Sequence, residues 1–161
     1  MDLMVILTRG LPASGKSTWS KQHVQISNGS VKRVNKDDLR SMLDSDAWSK
    51  SNERFILELR DQIILMALEA GRHIIVDDTN LNPVHWFHIS ALVGDKAQVL
   101  LKDFMDVPVA ECIARNKARA ANPAEVAVPP DVIPRMVKQW EDGWKQRWPA
   151  NVTVFGQMQE S

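Results

Sequence analysis

The sequence of 161 residues has one cysteine, Cys112, and its 20 Lys and Arg are cancelled by 20 Asp and Glu. A single thiol cannot form an internal disulfide, which excludes the scaffold of small secreted proteins. Zero net charge excludes the basic surface with which a protein coats nucleic acid non-specifically. Any contact with nucleic acid is therefore expected at a local site. No apolar run is long enough to span a bilayer, and the opening residues MDLMVILT have neither a basic leader nor a cleavage site. The expectation is a cytoplasmic chain with no membrane partner. At 44% hydrophobic and 25% charged residues the composition is that of an ordinary globular protein. One domain over residues 1–161, with one core, is expected.

Apolar runs and helical periodicity alternate along the chain. Leu3–Thr8, Val31–Asn35, Arg72–Asp77 and Ala97–Phe104 read as strands. Ser17–Ile26, Asn52–Ala70, Pro83–Val93, Pro108–Ala120 and Val132–Arg147 read as helices, with one or two helical turns at Asp37–Leu43. In the second of these helices Ile56, Leu59, Ile63, Met66 and Ala70 step by three and four, and Gly71 stops it. Asn82 is placed to cap the third. Residues 121–130 hold three prolines and read as a loop, and Val152–Phe155 is a candidate fifth strand. Strands separated by helices predict an α/β fold: a parallel sheet of four or five strands with helices on both faces.

Gly10, Leu11, Pro12, Ala13, Ser14, Gly15, Lys16 and Ser17, followed by Thr18, match the phosphate-loop pattern. A strand precedes them and a helix follows, as that loop requires. Its backbone N–H groups bind phosphate oxygens, and the helix adds its positive dipole end. Lys16 is expected to reach the β- and γ-phosphates, and Ser17 to offer a hydroxyl to Mg²⁺. The signal points to a nucleoside triphosphate, ATP or GTP. It does not name the reaction.

A switch GTPase would read guanine with Asn-Lys-x-Asp. That string occurs at Asn35–Asp38 but follows the phosphate loop too closely. A motor or AAA-type ATPase is expected to need more chain. A small kinase remains, and it needs a base for the acceptor and cations around the moving phosphoryl group. Asp37 and Arg40 share a face if their segment is helical, although spacing alone favours a capping aspartate with a surface arginine. Arg115 and Arg119, four apart, are equally readable as a closing lid or a solvated face. Asp77 and Asp78 end the third strand, at the sheet edge where parallel α/β proteins bind ligands.

In combination, these residues resemble the kinase domain of the bacteriophage polynucleotide 5′-kinase family. The resemblance rests on the phosphate loop through Trp19, on Arg33–Arg40 and on Asp77–Pro83. It extends through Asp106-Val107-Pro108, Arg115-Asn116 with Arg119, Val128-Pro129 and Asp131-Val132. It implies a nucleoside-monophosphate-kinase-like fold with an arginine lid over about residues 112–130. It also implies transfer of the γ-phosphate of ATP, or another triphosphate, to a 5′-hydroxyl end of DNA or RNA, as in nucleic-acid repair. By position, Asp37 matches the general base and Arg40 the arginine on acceptor or phosphate. Lys16 and Ser17 match the triphosphate and metal contacts, Arg119 the donor-phosphate arginine, and Arg115 one near the nucleotide base. Asp78 is the acid that matches, and Asp77 is expected to be structural. The phosphatase motif of the phage relative is missing, so no phosphatase domain is expected. The location implied is the host cytoplasm if the gene is a phage's. Two other readings stay open: a P-loop kinase for a nucleotide, sugar or antibiotic, and a nucleotide-binding module without catalysis.

Trp140, Trp144 and Trp148 form a stripe at helical spacing, expected to pack on the sheet or on a second copy of the chain. His85 and His88 read as helix surface, and Cys112 as a small buried side chain.

Overall fold

In the computed structural model, which describes residues 2–156, a four-stranded parallel sheet runs in the order β2-β3-β1-β4. Met1 and residues 157–161, the ends of the expected 1–161 domain, lie outside the described residues. The strands are β1 (Met4–Arg9), β2 (Val31–Val34), β3 (His73–Val76) and β4 (Gln98–Asp103). The helices are α1 (Lys16–Ile26), α2 (Lys36–Asp44), α3 (Lys50–Glu69), α4 (Val84–Val93), α5 (Val109–Ala120) and α6 (Val132–Gln139). A π-helical turn at Trp140–Trp144 and a short α7 (Lys145–Arg147) complete the series.

The central strands are continuous apolar runs because both faces are covered. Val5, Ile6 and Leu7 of β1 and Ile74, Ile75 and Val76 of β3 are buried. Edge strand β2 keeps only Val31 and Val34 inside. One core lies between the sheet and α3 and α4, around Ile56, Ile64, Ile89 and Leu101. A smaller one, around Ile6, Ile75 and Leu100, faces α1 through Trp19 and Val24. A third sits at the C-terminal sheet edge, where Leu11, Leu81, Cys112, Ile133 and Trp140 meet.

Five expectations need correction. Val152–Phe155 forms no strand; it contributes one parallel bridge, Leu101 to Val154, beside β4. The Asp37–Leu43 segment is a full nine-residue helix, because the Asn35 side chain accepts the Asp38 N–H and caps it. The buried face of α3 is Ile56, Arg60, Ile64, Ala67 and Leu68, while Met66 is 67% exposed. Arg60, 1% exposed, hides this face from a hydrophobicity pattern. The last helix is interrupted, the π-helical turn lying between α6 and α7. Asn82 is not the cap of α4: the N-cap is Pro83, and Asn82, one residue earlier, accepts the Val84 N–H at 3.1 Å in the turn that leads into the helix.

Candidate active site

β1 delivers the chain to Gly10, whose N–H donates to the Thr79 carbonyl at the exit of β3, 3.0 Å away. A Cβ on Gly10 would lie 2.6 Å from Ser14 Oγ and 2.8 Å from Phe104 Cβ, so only glycine fits without a shift. Ala13 and Gly15 turn the loop with φ of 66° and 99°. α1 then opens at Lys16 with no side-chain cap, leaving its first N–H groups for a ligand. Lys16 curls into the loop: Nζ donates to the Leu11 carbonyl at 2.6 Å and approaches Ser14 Oγ at 3.4 Å. Burial lowers its pKa from 10.5 to about 8, against the opposing pull of Asp77.

Two cavities flank this loop. The larger, about 590 Å³, is lined by Ser14, Gly15, Thr18 and Trp19, by Lys102, Phe104 and Asp106 after β4, and by Arg115 and Arg119. The smaller, about 310 Å³, is lined by Pro12, Lys16, Ser17, Asp37, Arg40, Asp77 and Asp78, with Val128 and Met136 across from them. Ala13 and Arg119 line both. Every expected site residue but Gly10 therefore borders a cavity, and Gly10 acts through the loop's packing.

α2 places Asp37 and Arg40 on one face at the smaller cavity. Arg40 Nη1 donates to Asp37 Oδ1 at 2.6 Å. Glu53, in the first turn of α3, takes the other side of the guanidinium with two bonds of 2.8 and 2.7 Å. This bidentate pair raises the Arg40 pKa and lowers that of Glu53. Asp37 is 85% exposed at its side chain and stands at the cavity mouth. Neither capping nor a free surface describes the pair: the cap is Asn35, and Arg40 is held from two sides.

The Asn35–Asp38 string has a structural use that excludes guanine reading. Asn35 caps α2 and donates through Nδ2 to the Asp77 carbonyl at 2.5 Å, while Asp38 pairs with Arg33 at 2.8 Å. Arg33 Nε also holds Asp77 Oδ2 at 2.7 Å. Asp77 thus has the structural tie expected of it, yet its Oδ1 is buried without a partner beside the cavity. Asp78 accepts the Lys36 N–H at 2.9 Å, and burial pushes its carboxyl above the usual range. Its Oδ2 is likewise unpartnered.

The expected lid consists of most of α5 and the loop after it. Arg115 and Arg119 both face the larger cavity, and Arg115 also donates to the Ala13 carbonyl at 3.3 Å and pairs with Glu111. Asn116, buried between them in sequence, exchanges two bonds with the Val128 backbone at 2.9 and 3.0 Å. That clasp fixes the proline-containing loop against α5 and sets Val128 over the smaller cavity. Glu53, Lys36 and Asn116 were not legible as site residues, since their partners lie on other elements or in the loop beyond.

The tryptophan stripe packs inward. Trp140 and Trp148 stack on the Arg9 guanidinium, 5.1 and 4.4 Å from its carbon, and Trp148 Nε1 donates to the Leu81 carbonyl at 2.8 Å. Cys112 is fully buried among them. His85 is not plain helix surface: it is half-buried, Arg60 Nη1 lies 3.3 Å from its Nδ1, and burial takes its pKa down to about 3. His88 is exposed and meets Asp61 at 2.6 Å.

Among the described residues no group of three or more His, Cys, Asp or Glu is set to hold a metal by itself. The Ser17 hydroxyl and the unpartnered Asp77 and Asp78 oxygens do fit a divalent ion brought in on phosphate oxygens. No helix of the described residues is long and apolar enough to cross a membrane.

An L-seryl-tRNA(Sec) kinase from Methanococcus maripaludis is 28% identical over 153 residues, 90% of this chain and 56% of the archaeal protein. The fold is similar to that of a chain in the Pnkp1/Rnl/Hen1 RNA repair complex, with a TM-score of 0.78 and 25% identity over 92% of this chain and 47% of the other. Kti12 from Chaetomium thermophilum, solved with ADP-AlF3, shares the fold at a TM-score of 0.66 and 18% identity, over 93% and 87% of the two chains. The chain thus spans about half the length of the first two relatives, and its architecture is the P-loop NTPase kinase fold. A family model described as an AAA domain matches residues 5–142. Strand, phosphate loop and the paired cavities all fall inside the matched span, and the chain belongs to this AAA-domain family of P-loop proteins.

Proposed function

We propose that the protein is a kinase that transfers the γ-phosphoryl group of ATP, or another nucleoside triphosphate, to a 5′-hydroxyl end of DNA or RNA. The observation that carries this reading is the smaller cavity. It gathers a carboxylate, Asp37, an arginine, Arg40, and the phosphate-loop Lys16 and Ser17 in one chamber. That chamber shares Arg119 with the larger cavity on the other side of the loop. A donor lying across the loop would keep its base in the larger space and present its outer phosphate to the smaller one.

In this reading Asp37 accepts the proton of the attacking hydroxyl, and Glu53 and Asp37 together hold Arg40 for the transferring phosphoryl group. Lys16 and Arg119 neutralise charge that builds on the phosphate oxygens. Ser17, with Asp77 and Asp78 behind it, would hold Mg²⁺, which supplies further charge neutralisation when bound. The exposed position of Asp37 suits a large acceptor that covers it on arrival. A nucleic-acid acceptor is supported by the resemblance of the Asp37–Arg40 and Asp78–Pro83 segments and by the likeness to a chain of an RNA repair complex.

A second reading has its own support. The archaeal relative is named as a kinase of a seryl group carried on tRNA. Both readings place an alcohol carried on a nucleic acid at Asp37. Parallel incubations with γ-labelled ATP, Mg²⁺ and, as acceptor, 5′-hydroxyl or 5′-phosphorylated oligonucleotides of DNA and RNA, seryl-tRNA, or free nucleosides and sugars separate them. Label on 5′-hydroxyl ends alone supports the first reading. Label on seryl-tRNA alone replaces it with the second, and label only on free nucleosides or sugars removes both.

A further inference from the structure

The larger cavity has an aromatic wall that the phosphate-loop chemistry leaves unused. Trp19, one turn into α1 and immediately after Thr18, is half-buried and lines that cavity beside Phe104, its ring centroid 6.1 Å away. Lys102 Nζ lies over both rings, 5.5 Å from the Trp19 centroid and 5.6 Å from that of Phe104. Behind the wall, His23 and Phe155 pack on Trp19 with centroids 4.6 and 5.7 Å away. Phe155 comes from the C-terminal segment, which its own backbone ties to β4. Leu101 N donates to the Thr153 carbonyl at 2.9 Å, and Phe155 N donates to the Leu101 carbonyl at 2.7 Å.

We infer that Trp19 is the surface on which the donor's base stacks, and that Phe155 is the positioning residue that holds the indole in place. The inference rests on the kinase reading only in taking the larger cavity as the donor's. A half-buried indole is an expensive ring to leave beside water, and a planar base covering it would complete its burial. Its position in sequence fits. Phosphates on the loop N–H groups and Ser17 put the sugar and base one helical turn away, at Thr18 and Trp19. The same cavity is lined by Arg115, whose guanidinium is anchored to the Ala13 carbonyl and Glu111 and can contribute a cation–π contact to a base. A base stacked there moves the flexible Lys102 from above the indole to the base's rim, where its ammonium meets acceptor atoms. Stacking is tolerant of base identity, so the site takes nucleoside triphosphates as a class and not one base. Because two backbone bonds tie Thr153 and Phe155 to β4 among the described residues, the wall depends on that segment staying docked.

The test compares a ligand with a base and one without. Binding of ATP and of inorganic tripolyphosphate, each with Mg²⁺, is measured by calorimetry for wild type, Trp19→Leu, Trp19→Phe and Phe155→Ala. Trp19→Leu is expected to weaken ATP at least about fivefold, the lower end of base–aromatic stacking, and to leave tripolyphosphate unchanged. Trp19→Phe keeps a ring and is expected to keep most of the affinity, which separates stacking from misfolding. Phe155→Ala is expected to fall between wild type and Trp19→Leu for ATP, again without effect on tripolyphosphate. Unchanged ATP affinity in Trp19→Leu overturns the inference. So do equal losses for both ligands, which would make Trp19 a prop for the phosphate loop. A wild-type protein that binds ATP as expected yet labels no acceptor fails the kinase reading and leaves the stacking result standing.

Discussion

Replacing Lys16 by methionine should make the nucleotide-free protein more stable while removing phosphoryl transfer. Lys16 is 8% exposed, and burial lowers the pKa of its ammonium from 10.5 to about 8. That lowering corresponds to roughly 3 kcal/mol against the charged form at neutral pH. Methionine fills similar space without charge. It leaves the Leu11 carbonyl without the donor now 2.6 Å away, a loss of about 1 kcal/mol. The net gain at pH 7 is roughly 2 kcal/mol, or roughly 4–8 °C in melting temperature for a domain of this size. The pH dependence gives the signature. Between about pH 8 and 10.5 the unfolded chain holds the Lys16 proton more tightly than the folded one, so wild-type stability rises with pH across that window. Below pH 8 the full penalty is present. The methionine variant lacks this contribution, so its advantage should shrink to about zero by pH 10. Urea unfolding of both proteins at pH 7 and pH 10, without nucleotide, measures the difference. A variant less stable than wild type at pH 7, or an advantage independent of pH, would falsify the account of Lys16 as a destabilising cation poised for an anion.

Three other substitutions test the site. Asp37→Asn should keep ATP affinity and reduce turnover by about 10²–10⁴; a normal rate in a labelling assay would remove Asp37 as the base. Glu53→Gln loses the ionic grip on Nε and Nη2 of Arg40. Turnover should drop about tenfold or more with little change in ATP affinity, and Glu53→Asp should restore part of it; equal effects of Gln and Asp on KM alone would refute the positioning role. Gly10→Ala forces a methyl group to 2.6 Å from Ser14 Oγ. A stability loss of about 1–3 kcal/mol with weaker ATP binding is expected, and a variant that melts and binds like wild type would show that the loop has slack there.

The sheet was legible because its central strands are continuous apolar runs, such as Val5-Ile6-Leu7 and Ile74-Ile75-Val76, set between helical segments. The phosphate loop was legible because its chemistry requires contiguous residues. What stayed hidden was anything settled by partners distant in sequence. Arg60 broke the apolar stripe of α3 because its charge is matched by Asp61 and it lies against His85 from α4, a pairing that no periodicity shows. Glu53 looked like an ordinary first-turn acid until α2 brought Arg40 against it. The interruption at Trp140–Trp144 also had no local sign. Asn116 could have been suspected, since an asparagine between two arginines on one helix is a poor helix former, but its clasp on Val128 depends on the path of the loop.

Arg119 and Ala13 form the party wall of two chambers, one on each side of the phosphate loop. Under the proposed function, a substitution at either residue made to suit a new acceptor would alter the grip on the fuel in the same stroke. Residues that front a single chamber, such as Lys102 and Asp106 on one side and Lys36 and Met136 on the other, could be changed without that coupling.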